Sequence, residues 1–180
     1  MRKVILGCGI SLDGYIARPD GSLDFLIMPK DGEKMMADLF ASIDTVIFGR
    51  RTLDAVPPGE TPPKGHWTTY VFSRSLPPGE RDGLVFVNES PTEFIRKLRK
   101  RPGKHIFHMG GGQLARSFLE ADLVDELSLG IVPVLLGEGL PMFPSGFPRR
   151  NFKLIENKAY SQGLIALKYE RIRAKPKRKR

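Results

Sequence analysis

KHIFHMGGGQLARSFLE, residues 104–120, is the stretch on which the reading of the fold turns. Ile106 to Met109 form a short apolar run of the kind that makes a buried strand. Gly110, Gly111 and Gly112 follow, and then Leu114, Ala115, Phe118 and Leu119 recur at helical spacing. Strand, glycine turn and helix in that order aim unpaired N–H groups and the positive end of a helix dipole beyond the strand. An anion fits there, and residues without side chains let it approach the backbone closely. A tight turn that binds nothing has the same pattern, because GGG is not the GxGxxG fingerprint of dinucleotide sites. His108, just before the glycines, is expected to be a buried strand histidine bonded to the backbone.

Working outward, KVILGCGI (3–10) is apolar on both faces, as a central strand is. The segment after it carries the turn dipeptides Asp13-Gly14 and Asp20-Gly21 and reads as a loop over the end of that strand. Asp13 itself reads as a turn former whose carboxylate accepts backbone N–H bonds. In DGEKMMADLFAS (31–42) Met35, Met36, Leu39 and Phe40 lie at helical spacing, with the methionines as core filler. A second strand, VIFG (46–49), ends in glycine and runs at once into Arg50, Arg51 and Thr52 and a short helix, which repeats the strand–glycine–helix order.

PPGETPPKGHW (57–67) is loop by composition; TTYVFSRSL (68–76) and LVFVN (84–88) are strands separated by a turn, PPGERDG (77–83). Ser90 and Pro91 open a helix that Pro102-Gly103 stops. VDELSLGIVPVLLGEG (124–139) reads as one long strand, with Pro133 marking an edge or bulge. Two alternating strands joined near residues 161–163 make a final hairpin. The class is therefore α/β: a mainly parallel sheet with helices on both faces and a C-terminal antiparallel hairpin. Ligands of such sheets bind beyond the carboxyl ends of the strands. If the strands run parallel, that rule gathers Gly9, Gly49, Ser73 and Gly110 at one edge.

At 180 residues the chain suits one domain, here 1–172, followed by a basic tail, 173–180. The tail, RAKPKRKR, holds most of the net charge of +9 and reads as disordered. It serves either solubility or weak binding to nucleic acid or an anionic surface; no aromatics interleave to make a stacking platform. No run of about 18 apolar residues is present, so no membrane insertion is expected. The lone Cys8 excludes an internal disulfide, no Cys/His spacing fits zinc, and a cytoplasmic setting is expected.

SLDGYIA (11–17), GRRT (49–52), SR (73–74), GGGQL (110–114) and PVLLGEGLPMF (133–143), in this order and spacing, resemble the dihydrofolate-reductase-like fold. Within it, they resemble the C-terminal reductase domain of the bifunctional riboflavin-biosynthesis deaminase/reductase. The likeness runs from Val4 to Arg171. It implies NADPH as cofactor and hydride transfer to a small heterocyclic or aminosugar-like substrate. Gly110, Gly111, Gly112, Gln113 and Leu114 would hold the pyrophosphate, with a cis peptide often joining the first two glycines of such a turn. Thr52 at the Gly49 turn would grip a second phosphate oxygen, and Arg50 or Arg51 with Ser73 and Arg74 would surround the 2′-phosphate. Gly9 and Ile16 would line the nicotinamide pocket, and Gly139 would approach the cofactor near the phosphates.

The proton donor departs from the dihydrofolate reductase pattern. Asp24, Asp31, Glu33 and Asp38 are available, and Asp24, beside Phe25 in the loop over the pocket, is the catalytic candidate. HxE and PCxxC, the signature of a zinc deaminase, do not occur in this sequence. The resemblance also implies a homodimer. Two other functions fit less of the pattern: a true dihydrofolate reductase, and a non-enzymatic nucleotide or nucleic-acid binder that uses the tail.

Overall fold

The computed structural model describes residues 1–56 and 65–173. Residues 57–64 of the expected 57–67 loop, and residues 174–180 of the expected tail, lie outside the described residues. Eleven strands and four α-helices alternate through the described chain. The first half holds β1 (Val4–Ser11), β2 (Tyr15–Ala17), α1 (Glu33–Ala41), β3 (Ile43–Gly49), α2 (Arg50–Asp54), β4 (Thr68–Phe72), β5 (Gly79–Arg81) and β6 (Leu84–Val87). The second holds α3 (Pro91–Arg99), β7 (His105–Met109), α4 (Gly112–Glu120), β8 (Glu126–Val132), β9 (Leu140–Pro141), β10 (Asn151–Ala159) and β11 (Ile165–Ile172).

Nine strands form one sheet in the order β10-β11-β8-β1-β7-β3-β4-β6-β5. β1 pairs parallel with β7 and β8, and β3 pairs parallel with β7 and β4. β10 and β11 add the antiparallel hairpin, and its bend is a single 3₁₀ turn at Ser161–Gly163. Alternate residues of the central strands serve two cores, as their double-sided apolar runs require. Leu6 and Ile106 face Phe94, Ile95 and Leu98 of α3 and Ala115, Phe118 and Leu119 of α4. Ile5 and Phe107 face the opposite core, which Leu39 and Phe40 of α1 and Leu53 of α2 help to cover. Helices on both faces of a mainly parallel sheet are thus observed.

Local signals account for several boundaries. Ser90 Oγ accepts from Glu93 N at 3.2 Å with Pro91 at the first helical position, so α3 starts where the capping pattern puts it. Three readings need correction. The stretch 124–139 is not one strand: β8 ends at Val132, inside the sheet between β1 and β11, and Pro133 falls just beyond the ladder where no N–H is needed. The 77–83 segment is more than a turn, because β5 pairs antiparallel with β6 across Asp82 and Gly83, both at positive φ. Arg173 is tied to the body, donating to Asp125 Oδ1 at 2.9 Å. The methionines of α1 are half-buried, and no residue of that helix is fully buried.

His108 lies in β7 opposite Leu6 and Ile47, fully buried and edge-on to Phe118 at 4.8 Å between ring centres. The expected bond to the backbone is not made: neither ring nitrogen has a hydrogen-bond partner. Burial pushes the imidazole down to about 4. The unfolded chain takes up this proton near 6.5, so acid favours unfolding. The stabilisation held by the neutral ring is complete above pH 6.5, falls between 6.5 and 4, and amounts to about 3 kcal/mol. His108→Leu removes both the titration and two unpartnered nitrogens. Urea unfolding at pH 7 and pH 4.5 is expected to show the variant gaining on the wild type by about 2–3 kcal/mol at the lower pH. An equal difference at both pH values would exclude titration of His108.

Candidate functional site

Because β1, β3, β4 and β7 run parallel, their carboxyl ends open on one edge, and Gly9, Gly49, Ser73 and Gly110 meet there as the condition required. Gly110 (φ 64°) and Gly111 (φ 83°) take the left-handed backbone that only glycine adopts without strain, which turns β7 sharply into α4. The described residues contain no cis peptide, so the Gly110–Gly111 bond is trans. No side chain caps α4, and the helix begins at Gly112. The N–H groups of Gly112, Gln113 and Leu114 therefore have no intrahelical acceptor and face out of the first turn.

The second strand–glycine–helix corner lies against the first. A Cβ on Gly111 would stand 2.8 Å from Thr52 Oγ1 and 3.9 Å from Gly49 N, and one on Gly49 would stand 3.7 Å from Leu114 Cβ. Gly49 caps α2 with an extended backbone and no side-chain bond. Two sets of free amides and the Thr52 hydroxyl thus converge on one spot.

The cations are not equivalent. Arg50 donates to Asp54 Oδ1 at 2.5 Å within its own helix. Arg51 and Arg74 are exposed and make no ion pair among the described residues. Ser73 is buried, and its hydroxyl already accepts from Leu76 N at 3.0 Å, so it shapes the turn that presents Arg74.

At the β1 end, Gly9 is covered by Leu26: a Cβ there would lie 2.7 Å from the Leu26 side chain. The sequence reading missed Leu26, whose only signal was an apolar residue inside the 18–29 loop. Ile16 and Cys8 pack on the core face below, and burial pushes the Cys8 thiol up to about 12 beside Met142. Gly139 abuts β2, where a Cβ would lie 2.4 Å from the Ala17 carbonyl oxygen. Asp24, the catalytic candidate, is held in an ion pair. It is 62% exposed and accepts from Arg18 Nε at 2.6 Å, and that guanidinium holds its carboxyl below the usual range. An ionised carboxylate has no proton to give at neutral pH. Asp31 accepts from Ser161 and Asp38 accepts from Lys34, so both carboxylates already have partners. No three His, Cys, Asp or Glu side chains among the described residues cluster as metal ligands.

Comparison with known proteins follows the same outline. The RibD C-terminal domain family matches residues 2–166. The uncharacterized protein YyaP of Bacillus subtilis (strain 168) is 36% identical over 181 residues, covering 93% of this chain and 94% of that protein. A putative riboflavin biosynthesis protein from Shewanella sp. PV-4 superposes with a TM-score of 0.84 at 26% identity, covering 95% of this chain and 99% of that one. A diaminohydroxyphosphoribosylaminopyrimidine deaminase/5-amino-6-(5-phosphoribosylamino)uracil reductase from Thermotoga maritima superposes at 0.72 with 16% identity, over 95% of this chain and 57% of that one, a likeness of fold.

The contact between the two corners is open to measurement. Gly14, at φ 86° with nothing near a would-be Cβ, shares the backbone strain of Gly111 without the Thr52 contact. Gly14→Ala is expected to cost about 1 kcal/mol in chemical denaturation, and Gly111→Ala about 1–2 kcal/mol more. Equal losses would mean that Thr52 does not press on the turn.

Proposed function

The chain belongs to the RibD C-terminal domain family, and from that premise we propose that it is an NADPH-dependent reductase of a small heterocyclic substrate, similar to the pyrimidine reductases of riboflavin synthesis. The observation that carries the reading is the meeting of the Gly110–Gly112 turn with Thr52 at the carboxyl edge of the sheet. The fit to a dinucleotide is chemical as well as positional. Uncapped amides at the starts of α4 and α2 supply donors for a pyrophosphate, which carries acceptors and negative charge only. The bare backbone at Gly110 and Gly111 admits it without a side chain in the way.

The amides of Gly112, Gln113 and Leu114 hold one phosphate in this reading, and the Thr52 hydroxyl with its own N–H holds the other. Arg74 and Arg51, which make no ion pair among the described residues, select a 2′-phosphate; Arg50 contributes less because Asp54 already shares its charge. Bound NADPH supplies the hydride. Gly9 and Ile16 position the nicotinamide end, while Leu26 and the loop that carries it cover Gly9 at the carboxyl end of β1. Asp24 stays an ionised partner of Arg18, and the proton comes from solvent.

Arg74→Ala is expected to weaken NADPH binding about 10–100-fold and to leave NADH binding within about threefold, read from fluorescence titrations. Equal losses for the two nucleotides would remove Arg74 from the 2′-phosphate site, and absence of NADPH binding by the wild type would end the reductase reading. Asp24→Asn is expected to keep turnover within about threefold of wild type, measured as loss of reduced-nicotinamide absorbance. A drop of about 100-fold or more, the scale of a lost general acid, would restore Asp24 as the donor.

A further inference from the structure

Asp13 is exposed, takes no part in the chemistry above, and is nevertheless fully engaged. Its Oδ1 accepts from Ser11 Oγ at 2.5 Å, and its Oδ2 accepts from Leu136 N at 3.0 Å and Gly137 N at 2.8 Å. Ser11 is buried and its hydroxyl oxygen in turn accepts from Tyr15 N at 2.9 Å, which fixes the carboxylate to the β1–β2 turn. The partners at Leu136 and Gly137 lie more than a hundred positions further along the chain, on the segment 133–144 that leaves β8.

That segment is a strap across the carboxyl edge. It starts at β1, where Leu12 N donates to the Val134 carbonyl at 2.8 Å. Beyond the Asp13 contact, Gly139 packs on Tyr15 and Ala17, and β9 pairs with β2. Met142, fully buried, donates its N–H to the Gly14 carbonyl at 2.9 Å. The far end meets the glycine turn: a Cβ on Gly112 would lie 2.4 Å from the Pro141 carbonyl oxygen and 3.0 Å from the Pro144 ring. One segment therefore touches the β1 end of the site and the first residue of α4.

We propose that Asp13 is a positioning residue that anchors the strap 133–144 and thereby holds the nicotinamide and pyrophosphate ends of the cofactor site in register. The claim rests on the NADPH reading above. Three donors converge on its two oxygens; a carboxamide keeps one acceptor oxygen for the strap only by turning its NH₂ to the Ser11 hydroxyl, and without the charge its bonds to Leu136 and Gly137 weaken. Release of the anchor frees the strap at Leu136 and Gly137 and loosens its seat against Gly112, so the loss appears in cofactor affinity although Asp13 touches no cofactor atom.

The test compares wild type, Asp13→Asn and Asp20→Asn. Asp20 is a fitting control because its carboxylate accepts only within its own turn, from Ser22 N. Wild-type NADPH titration is read first: no binding there would overturn the reductase reading, and the positioning role with it, before any variant is considered. With binding established, Asp13→Asn is expected to speed amide exchange at Leu136 and Gly137 and to raise the NADPH dissociation constant, each about 10-fold. Asp20→Asn is expected to change neither. Unchanged exchange would overturn the anchor, and faster exchange with NADPH affinity within about twofold of wild type would overturn the positioning role. If Asp13→Asn does not fold, Ser11→Ala, which keeps the carboxylate but removes its buried orienting hydroxyl, is expected to move both readouts in the same direction, and a null result in both overturns the proposal.

Discussion

Parallel pairing of β1 with β7 on one side and β8 on the other is the interaction on which the rest of this structure depends. A parallel pair needs a crossover, so the chain returns between these strands through helices or long segments on a face or over an edge. It also puts the carboxyl ends of all these strands together. The glycine turn after β7, the glycine cap of α2 and the 18–29 loop after β2 become neighbours for that reason alone. The strands can run so only because both faces are apolar, and each face is covered by its own helix pair.

The opposite edge answers with charge. Asp125 and Glu126 are buried at the start of β8, and Arg99, Arg173 and Lys3 pair with them. Arg150 and Arg171 meet Asp122 just before. Removal of one partner from such a cluster strands a buried charge, so these pairs constrain where β11 and the chain's last described residues lie more than they add net stability. One edge is thus closed by ion pairs, while the other keeps free amides and two arginines without ion-pair partners among the described residues. The asymmetry is what an anion-binding edge requires.

Much of this was legible in residue order. Alternation and apolar runs located the strands, Ser90 and Pro91 located the start of α3, and the glycines located the turn into α4. What was misread shares a cause. The apolar run through Pro133 looks like strand because composition does not say where a neighbour ends, and β8 stops where its ladder with β1 stops. His108 was assigned a backbone partner by general rule, but in its packing edge-on to Phe118 neither ring nitrogen makes a hydrogen bond. The Arg18 partner of Asp24, six residues away in the same loop, likewise has no local pattern that announces it.

The sequence by itself determined the local elements of this protein, because strand alternation, helix capping and positive-φ turns are properties of a few consecutive residues. It also carried the family likeness, since five short motifs in fixed order are read without coordinates. Only the tertiary structure decided that Thr52 stands against Gly111, that Leu26 covers Gly9, and that Asp13 reaches Leu136 and Gly137. Each of these joins residues brought together by packing of the sheet. Hydrogen bonds and close contacts between distant segments leave no periodic trace in the chain.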